Sequence, residues 1–155
     1  MLYGNISLAQ ISEASKTLPP EELDEYINFL SRATIASEGF EYVKAFFHNL
    51  APDHELQVLT NGLETYPYGI GAEYNVQVPQ NKDQLKTELN ELLTEFKFTS
   101  LPIYLVHNHP EYQDTFDTLP SPSDMKFFAT VEQLTQGRIK GGFYANSTDT
   151  LTVYP

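Results

Sequence analysis

Two histidines at alternate positions, His107 and His109, have the clearest capacity for chemistry in this chain. They follow the apolar run 102–106, which predicts a β-strand, and alternate side chains of a strand share one face, roughly 6.6 Å apart along the backbone. Pro110 ends the strand beside a loop, where a site can be open to substrate. The spacing predicts that both imidazoles can close on one ion.

A third ligand is offered by residues 120–124, Pro-Ser-Pro-Ser-Asp, a sequence typical of a helix start. Ser121 is the predicted N-cap, Pro122 the first helical residue and Asp124 the third. The same S-x-x-D pattern also fits a capping box that needs no metal. The interpretation of Asp124 as a metal ligand therefore depends on the two histidines.

The chain has no cysteine, so a transition metal must be held by imidazole and carboxylate. The two histidines and Asp124 are the predicted ligands of a catalytic-type Zn(II) site with one position open for water, whose pKa the ion lowers. The other histidines, His48 and His54, have no partner at ligand spacing and are interpreted as surface or turn residues.

Hydrophobic periodicity predicts the elements that must position these residues. Helices are predicted at about 20–35, 82–97 and 122–134. Strands are predicted at 56–60, 76–78, 102–106, 142–145 and 151–154. Because strands and helices alternate, the predicted fold class is α/β or α+β, a mixed β-sheet flanked by helices.

The segment 40–49 fits two structures. Its apolar residues recur at helical spacing, yet the adjacent pairs Tyr42-Val43 and Phe46-Phe47 suit a covered strand, and a strand is predicted. The pair Asn61-Gly62 that follows the strand 56–60 predicts a hairpin.

Composition bounds the architecture and the partners. The 155 residues, 41% of them hydrophobic, suit a single domain 1–155, with an N-terminal helical segment 1–37 and a metal-site core 38–155. Nine basic and 21 acidic residues give a net charge of −12, which opposes nucleic-acid binding. With neither a membrane-spanning stretch nor a secretion signal in the sequence, a cytoplasmic location is expected, and secretion as an effector stays open.

The run His-Asn-His-Pro, a loop and Pro-Ser-Pro-Ser-Asp resembles the H-x-H-P-(loop)-S-x-x-D signature of the JAB/MPN superfamily of zinc metalloproteases, also called JAMM. The strand 103–110 is most similar to the RadC-like branch. The resemblance covers about residues 20–155, and it is tight only over 103–125. The loop between Pro110 and Ser121 holds ten residues, which is longer than the usual family spacing.

The resemblance implies zinc-dependent hydrolysis of a peptide or isopeptide bond. In the family a serine helps to stabilise the tetrahedral intermediate, and this role falls on Ser121. An upstream glutamate, normally just before the first strand, acts as general base on the zinc-bound water, and Glu41 at the start of the predicted strand 40–49 fits that context. If 40–49 is instead a helix, Glu55 takes the role. The remaining alternatives are Glu38, Glu64 and Glu73.

The same resemblance implies a protein or peptide substrate, such as a ubiquitin-like tail, and leaves room for an activating protein partner. Two alternative functions remain open. One is a catalytically silent MPN-type binding module, and the other is a JAB-type toxin or effector of bacterial conflict systems. The sequence lacks the motifs of other hydrolases, since there is no cysteine nucleophile, no G-x-S-x-G and no H-E-x-x-H.

Overall fold

The computed structural model describes residues 40–71, 76–110 and 122–154, together with residues 16, 19–21 and the backbone of 34–35. The helices are α1 (Glu41–Leu50), α2 (Lys82–Leu93) and α3 (Pro122–Leu134). The strands are β1 (Thr34–Ile35), β2 (Gln57–Thr60), β3 (Thr65–Pro67), β4 (Ile70–Gly71), β5 (Val76–Gln77), β6 (Ile103–His109), β7 (Ile139–Ala145) and β8 (Thr150–Tyr154).

Six of these strands form one mixed sheet in the order β1-β8-β7-β6-β2-β3, and β4 pairs with β5 in a small hairpin. The central strand β6 runs parallel to β7 and antiparallel to β2. The helix α3 lies in the connection between β6 and β7, as a parallel pair requires. The predicted α+β class, a mixed sheet flanked by helices, is confirmed.

Strand alternation gives the sheet two different faces. On one face Leu59 and Leu105 pack with Leu89 of α2 and Val131 of α3. On the other face, apolar residues of β2, β6, β7 and β8 pack with Val43 and other residues of α1. The helices α2 and α3 therefore cover one side of β6, and α1 covers the opposite side.

The strand predicted at 40–49 is wrong, because Glu41–Leu50 form the helix α1. Val43, Phe47 and the following Ala51 recur every fourth residue and are fully buried. Phe47 stacks on Tyr144 of β7 at 5.6 Å between ring centroids. The segment forms a helix and not a strand because its buried residues make one apolar stripe, which is enough to pack a helix on a sheet.

The predicted Asn61-Gly62 hairpin is confirmed as the antiparallel pair β2–β3. Gly62 has φ 92°, a conformation that favours glycine. The side chain of Asn61 accepts hydrogen bonds from the N–H groups of Leu63 and Glu64, which closes the turn.

The other predicted elements agree in type, with shifted ends. The helix predicted to reach residue 97 ends at Leu93, and Phe96 joins the same core from the turn beyond it. Residues 20 and 21 are helical, while the rest of the first predicted helix lies outside the described residues, except that Thr34–Ile35 form a strand.

Candidate metal centre

The two histidines are the alternate residues at the end of β6, and both are only 5% exposed. Leu105 precedes them on the same face of the strand and packs towards α2 and α3. Both imidazoles consequently lie on the side of the sheet that α3 covers. The prediction that His107 and His109 share one face is confirmed.

Asp124 reaches this face from the first turn of α3, which begins at Pro122 as predicted. Its Oδ2 lies 3.1 Å from Nε2 of His109, and its Oδ1 lies 3.3 Å from Nε2 of His107. The two Nε2 atoms are themselves 3.1 Å apart. The structure therefore brings the three predicted ligands together, with the Asp124 side chain 22% exposed at the outer edge.

Three potential ligand atoms converge in this triangle of short contacts. An ionised carboxylate can only accept hydrogen bonds, and each Nε2 that carries no hydrogen presents a lone pair. Together these atoms form a set of electron-pair donors that suits a cation. The group formed by His107, His109 and Asp124 could hold a metal ion.

Charge in the site shifts two pKa values. Burial of His107 lowers its pKa, but the adjacent Asp124 carboxylate, with a further contribution from Glu55, outweighs that effect, and the net shift is upward. Burial of Asp124 raises its pKa, but the two histidines outweigh it and hold this pKa well below the ordinary range. The site is thus built to keep a carboxylate ionised beside two imidazoles.

Aromatic rings fix the orientation of both imidazoles. His107 packs on Phe128 of α3 at 5.8 Å between ring centroids, and His109 packs on Phe143 of β7 at 5.1 Å. Phe128 and Phe143 both contact the ring of Tyr154 on β8. This wall of rings restrains the Nε2 atoms, as ligand preorganisation requires.

Phe128 can approach the sheet because residue 141 of β7 is a glycine. A Cβ at Gly141 would lie 2.3 Å from Cγ of Phe128, far inside van der Waals contact. The same close approach lets α3 carry Asp124 to the histidines. Neither Phe128 nor Gly141 is among the residues predicted from the sequence, although a Gly-Gly pair inside an apolar strand signals that another group approaches closely.

Glu55 lies beside the candidate metal centre and is only 6% exposed. Gln57, two residues further along the chain, lies opposite His107 in the antiparallel pairing of β2 with β6, and residues directly opposite in such a pair project to the same face. The charge of Glu55 raises the pKa of His107, so its carboxylate is near that imidazole.

Glu41 occupies a different position from Glu55. It is exposed at the first residue of α1, and α1 packs on the face of the sheet opposite the histidines. A helix at 40–49 is the condition under which Glu55, and not Glu41, is the predicted general base.

Glu64 has a structural partner at the other end of β2. Its carboxylate accepts hydrogen bonds from the N–H groups of Lys97 and Phe98, which ties the β2–β3 turn to the segment after α2. Three further predicted residues lie outside the described part of the chain: Glu38, Glu73 and Ser121.

The remaining histidines do not belong to the ligand group. His48 is exposed on α1, and His54 is partly exposed in the following turn, where Nδ1 is 2.9 Å from Oδ1 of Asp53. Their interpretation as surface or turn residues is confirmed.

Comparison with known proteins gives no relatives: no protein-family profile, curated protein or solved structure matches this chain significantly. Among the residues that the structure describes, no helix is long and apolar enough to cross a membrane.

Proposed function

We propose that this protein is a zinc-dependent metallopeptidase of the JAB/MPN (JAMM) type, which hydrolyses a peptide or isopeptide bond. The observation that carries the proposal is the convergence of three ligand atoms beside a buried carboxylate, Glu55, whose charge raises the pKa of His107. Ligands alone would suit a storage or structural site. A neighbouring proton acceptor is what hydrolysis adds to the requirement.

The ligand separations are close to those that zinc requires. Nitrogen and oxygen ligands lie about 2.0–2.2 Å from this ion, so two ligands of a tetrahedral site are about 3.3–3.6 Å apart. The three separations here are 3.1, 3.1 and 3.3 Å. Two imidazoles and one carboxylate are also a donor set typical of catalytic zinc, which keeps one position open. Zinc held there would supply Lewis-acid activation of water and of the scissile carbonyl.

The protein groups have distinct roles in this proposal. His107, His109 and Asp124 hold the ion, and the aromatic wall keeps their geometry. The Glu55 carboxylate accepts a proton from the attacking water and returns it to the leaving amine, so no covalent intermediate is needed. This replaces Glu41 as the preferred general base. Ser121, directly before α3, retains its proposed role in stabilising the developing oxyanion.

The proposed substrate is a protein or peptide, such as one with a ubiquitin-like tail, and a partner protein can assist its binding. The net charge of −12 favours a basic partner surface and disfavours nucleic acid. We propose a cytoplasmic location for this activity.

Elemental analysis of protein purified without chelator tests the metal site first. About one zinc per chain is expected for the native protein, and none for the His107→Ala/His109→Ala double variant. A screen of peptide and isopeptide substrates then tests the chemistry. Zinc binding without hydrolysis of any substrate would support a silent binding module instead, and an absence of zinc in the native chain, even after incubation with the metal, would refute the site.

A further inference from the structure

The segment between α1 and β2, residues 51–56, carries Glu55 to the metal centre without regular secondary structure of its own. Such a segment must satisfy its backbone polar groups outside helices and strand ladders, because buried unpaired groups are costly. Two of its carbonyls and one of its N–H groups are bonded to a single side chain, that of Asn108. One residue of β6 thus fixes the segment at three points.

The Asn108 side chain is fully buried, and all its polar atoms have partners. Its amide nitrogen lies 2.8 Å from the carbonyl oxygen of Ala51 and 3.0 Å from that of His54. Its amide oxygen accepts the N–H of Leu56 at 2.7 Å. The nitrogen is also 2.9 Å from Oδ1 of Asn146, so its two hydrogens are shared among three acceptors.

We propose that Asn108 is a positioning residue that sets the placement of Glu55 against the metal centre, an inference that rests on the proposed function. His54 and Leu56, the two chain neighbours of Glu55, are both anchored to it. A backbone bond from the Asn108 N–H to the Leu56 carbonyl, at 3.3 Å, reinforces the anchor. The carboxylate between the two anchored residues is thereby held in register with β6.

The anchor acts from the side of the sheet that the metal does not occupy. Strand alternation turns Asn108 to the α1 face, while His107 and His109 on either side of it point to the α3 face. Asn108 therefore joins the ligand strand to the proton acceptor through the backbone, without touching a ligand. A proton acceptor must stay within hydrogen-bond reach of its target, so this fixation determines whether Glu55 can act.

The test uses the full chain loaded with cobalt(II), whose visible absorption changes with ionisation next to the metal. The absorption is followed as a function of pH, and the pH at which the change is half complete, the midpoint, is compared among four proteins. These are the native protein, Asn108→Ala, Glu55→Gln and the double variant. Asn61→Ala is the matched control, because Asn61 is also a buried asparagine that holds a turn, at the opposite end of β2.

Glu55→Gln is expected to lower the midpoint by roughly one unit, because a nearby carboxylate opposes the loss of a proton. Asn108→Ala is expected to shift it in the same direction by at least half as much. The double variant should match Glu55→Gln, since both changes act on one carboxylate. Asn61→Ala should keep the native midpoint.

A native midpoint in Asn108→Ala, an additive shift in the double variant, or an equal shift in Asn61→Ala would each overturn the proposal. If Asn108→Ala does not fold, Asn108→Ser is examined in the same way, since it loses the amide donors but keeps a small polar side chain. The spectral shifts without hydrolysis of any substrate would contradict the proposed function and leave the placement of Glu55 supported. If Asn108→Ala hydrolyses substrate at the native rate and keeps the native midpoint, the proposed function is supported and the proposed role of Asn108 is refuted.

Discussion

At the scale of single residues, the candidate metal ligands and the proposed general base differ in how far sequence defines them. His107, His109 and Asp124 are specified by local spacing, one pair by strand alternation and the third by a helix start, and the structure brings them together. The glutamate belongs to no local motif. The choice between Glu41 and Glu55 depends on whether the segment 40–49 is a helix or a strand. The segment is a helix whose Phe47 packs on Tyr144, a tertiary contact that cannot be recognised from local sequence.

Two isosteric variants separate the candidate bases. Glu55→Gln should retain about one zinc per chain and lose kcat by roughly 10²–10⁴-fold, because the amide cannot accept the proton. Glu41→Gln, exposed on the opposite side of the sheet, should keep the native kcat. Both are measured as turnover of the best substrate, with metal content determined on the same samples. Loss of turnover in Glu41→Gln and not in Glu55→Gln would reverse the assignment.

At the scale of elements, the site depends on how closely α3 approaches β7. The ring of Phe128 lies where a Cβ of residue 141 would be, so only glycine allows the observed distance. The periodicity of each element could be recognised from the sequence, but this approach could not, since it depends on two segments that pack only in three dimensions. The role of Asn108 could not be predicted for the same reason, because its partners in the segment 51–56 are 52 to 57 residues away along the chain.

Gly141→Ala is expected to displace Phe128 and with it the first turn of α3. Overpacking of this kind costs about 1–3 kcal/mol of the free energy of unfolding, and the shift of Asp124 should weaken zinc binding. Chemical denaturation and a competitive zinc titration measure the two effects. The control is Ala129→Gly on the exposed side of α3, which costs about 1 kcal/mol through helix propensity alone.

Zinc affinity should fall in Gly141→Ala and stay native in Ala129→Gly. Equal affinity losses in the two variants would mean that general destabilisation of α3, and not its approach to β7, controls the site. Unchanged affinity in Gly141→Ala would show that Asp124 does not depend on the packing of Phe128.

At the scale of the whole molecule, the metal should act as a link between the central strand of the sheet and the helix that packs on it. The ligands join the end of the central strand β6 to the start of α3, and β6 pairs with both β2 and β7. An ion that binds only the folded state stabilises it by about 2.7 kcal/mol when its free concentration is 100 times Kd. The cost of separating β6 from α3 therefore rises when zinc is bound.

Removal of zinc by a chelator should consequently lower the Tm of the native chain by roughly 5–10 °C at that zinc concentration, given about 2–4 °C per kcal/mol for a chain of this size. The measurement is thermal unfolding with and without chelator, followed by circular dichroism. The His107→Ala/His109→Ala variant should show no chelator effect, because it cannot hold the ion. A chelator effect of the same size in both proteins would place the stabilising metal elsewhere, since the link between β6 and α3 requires the two imidazoles.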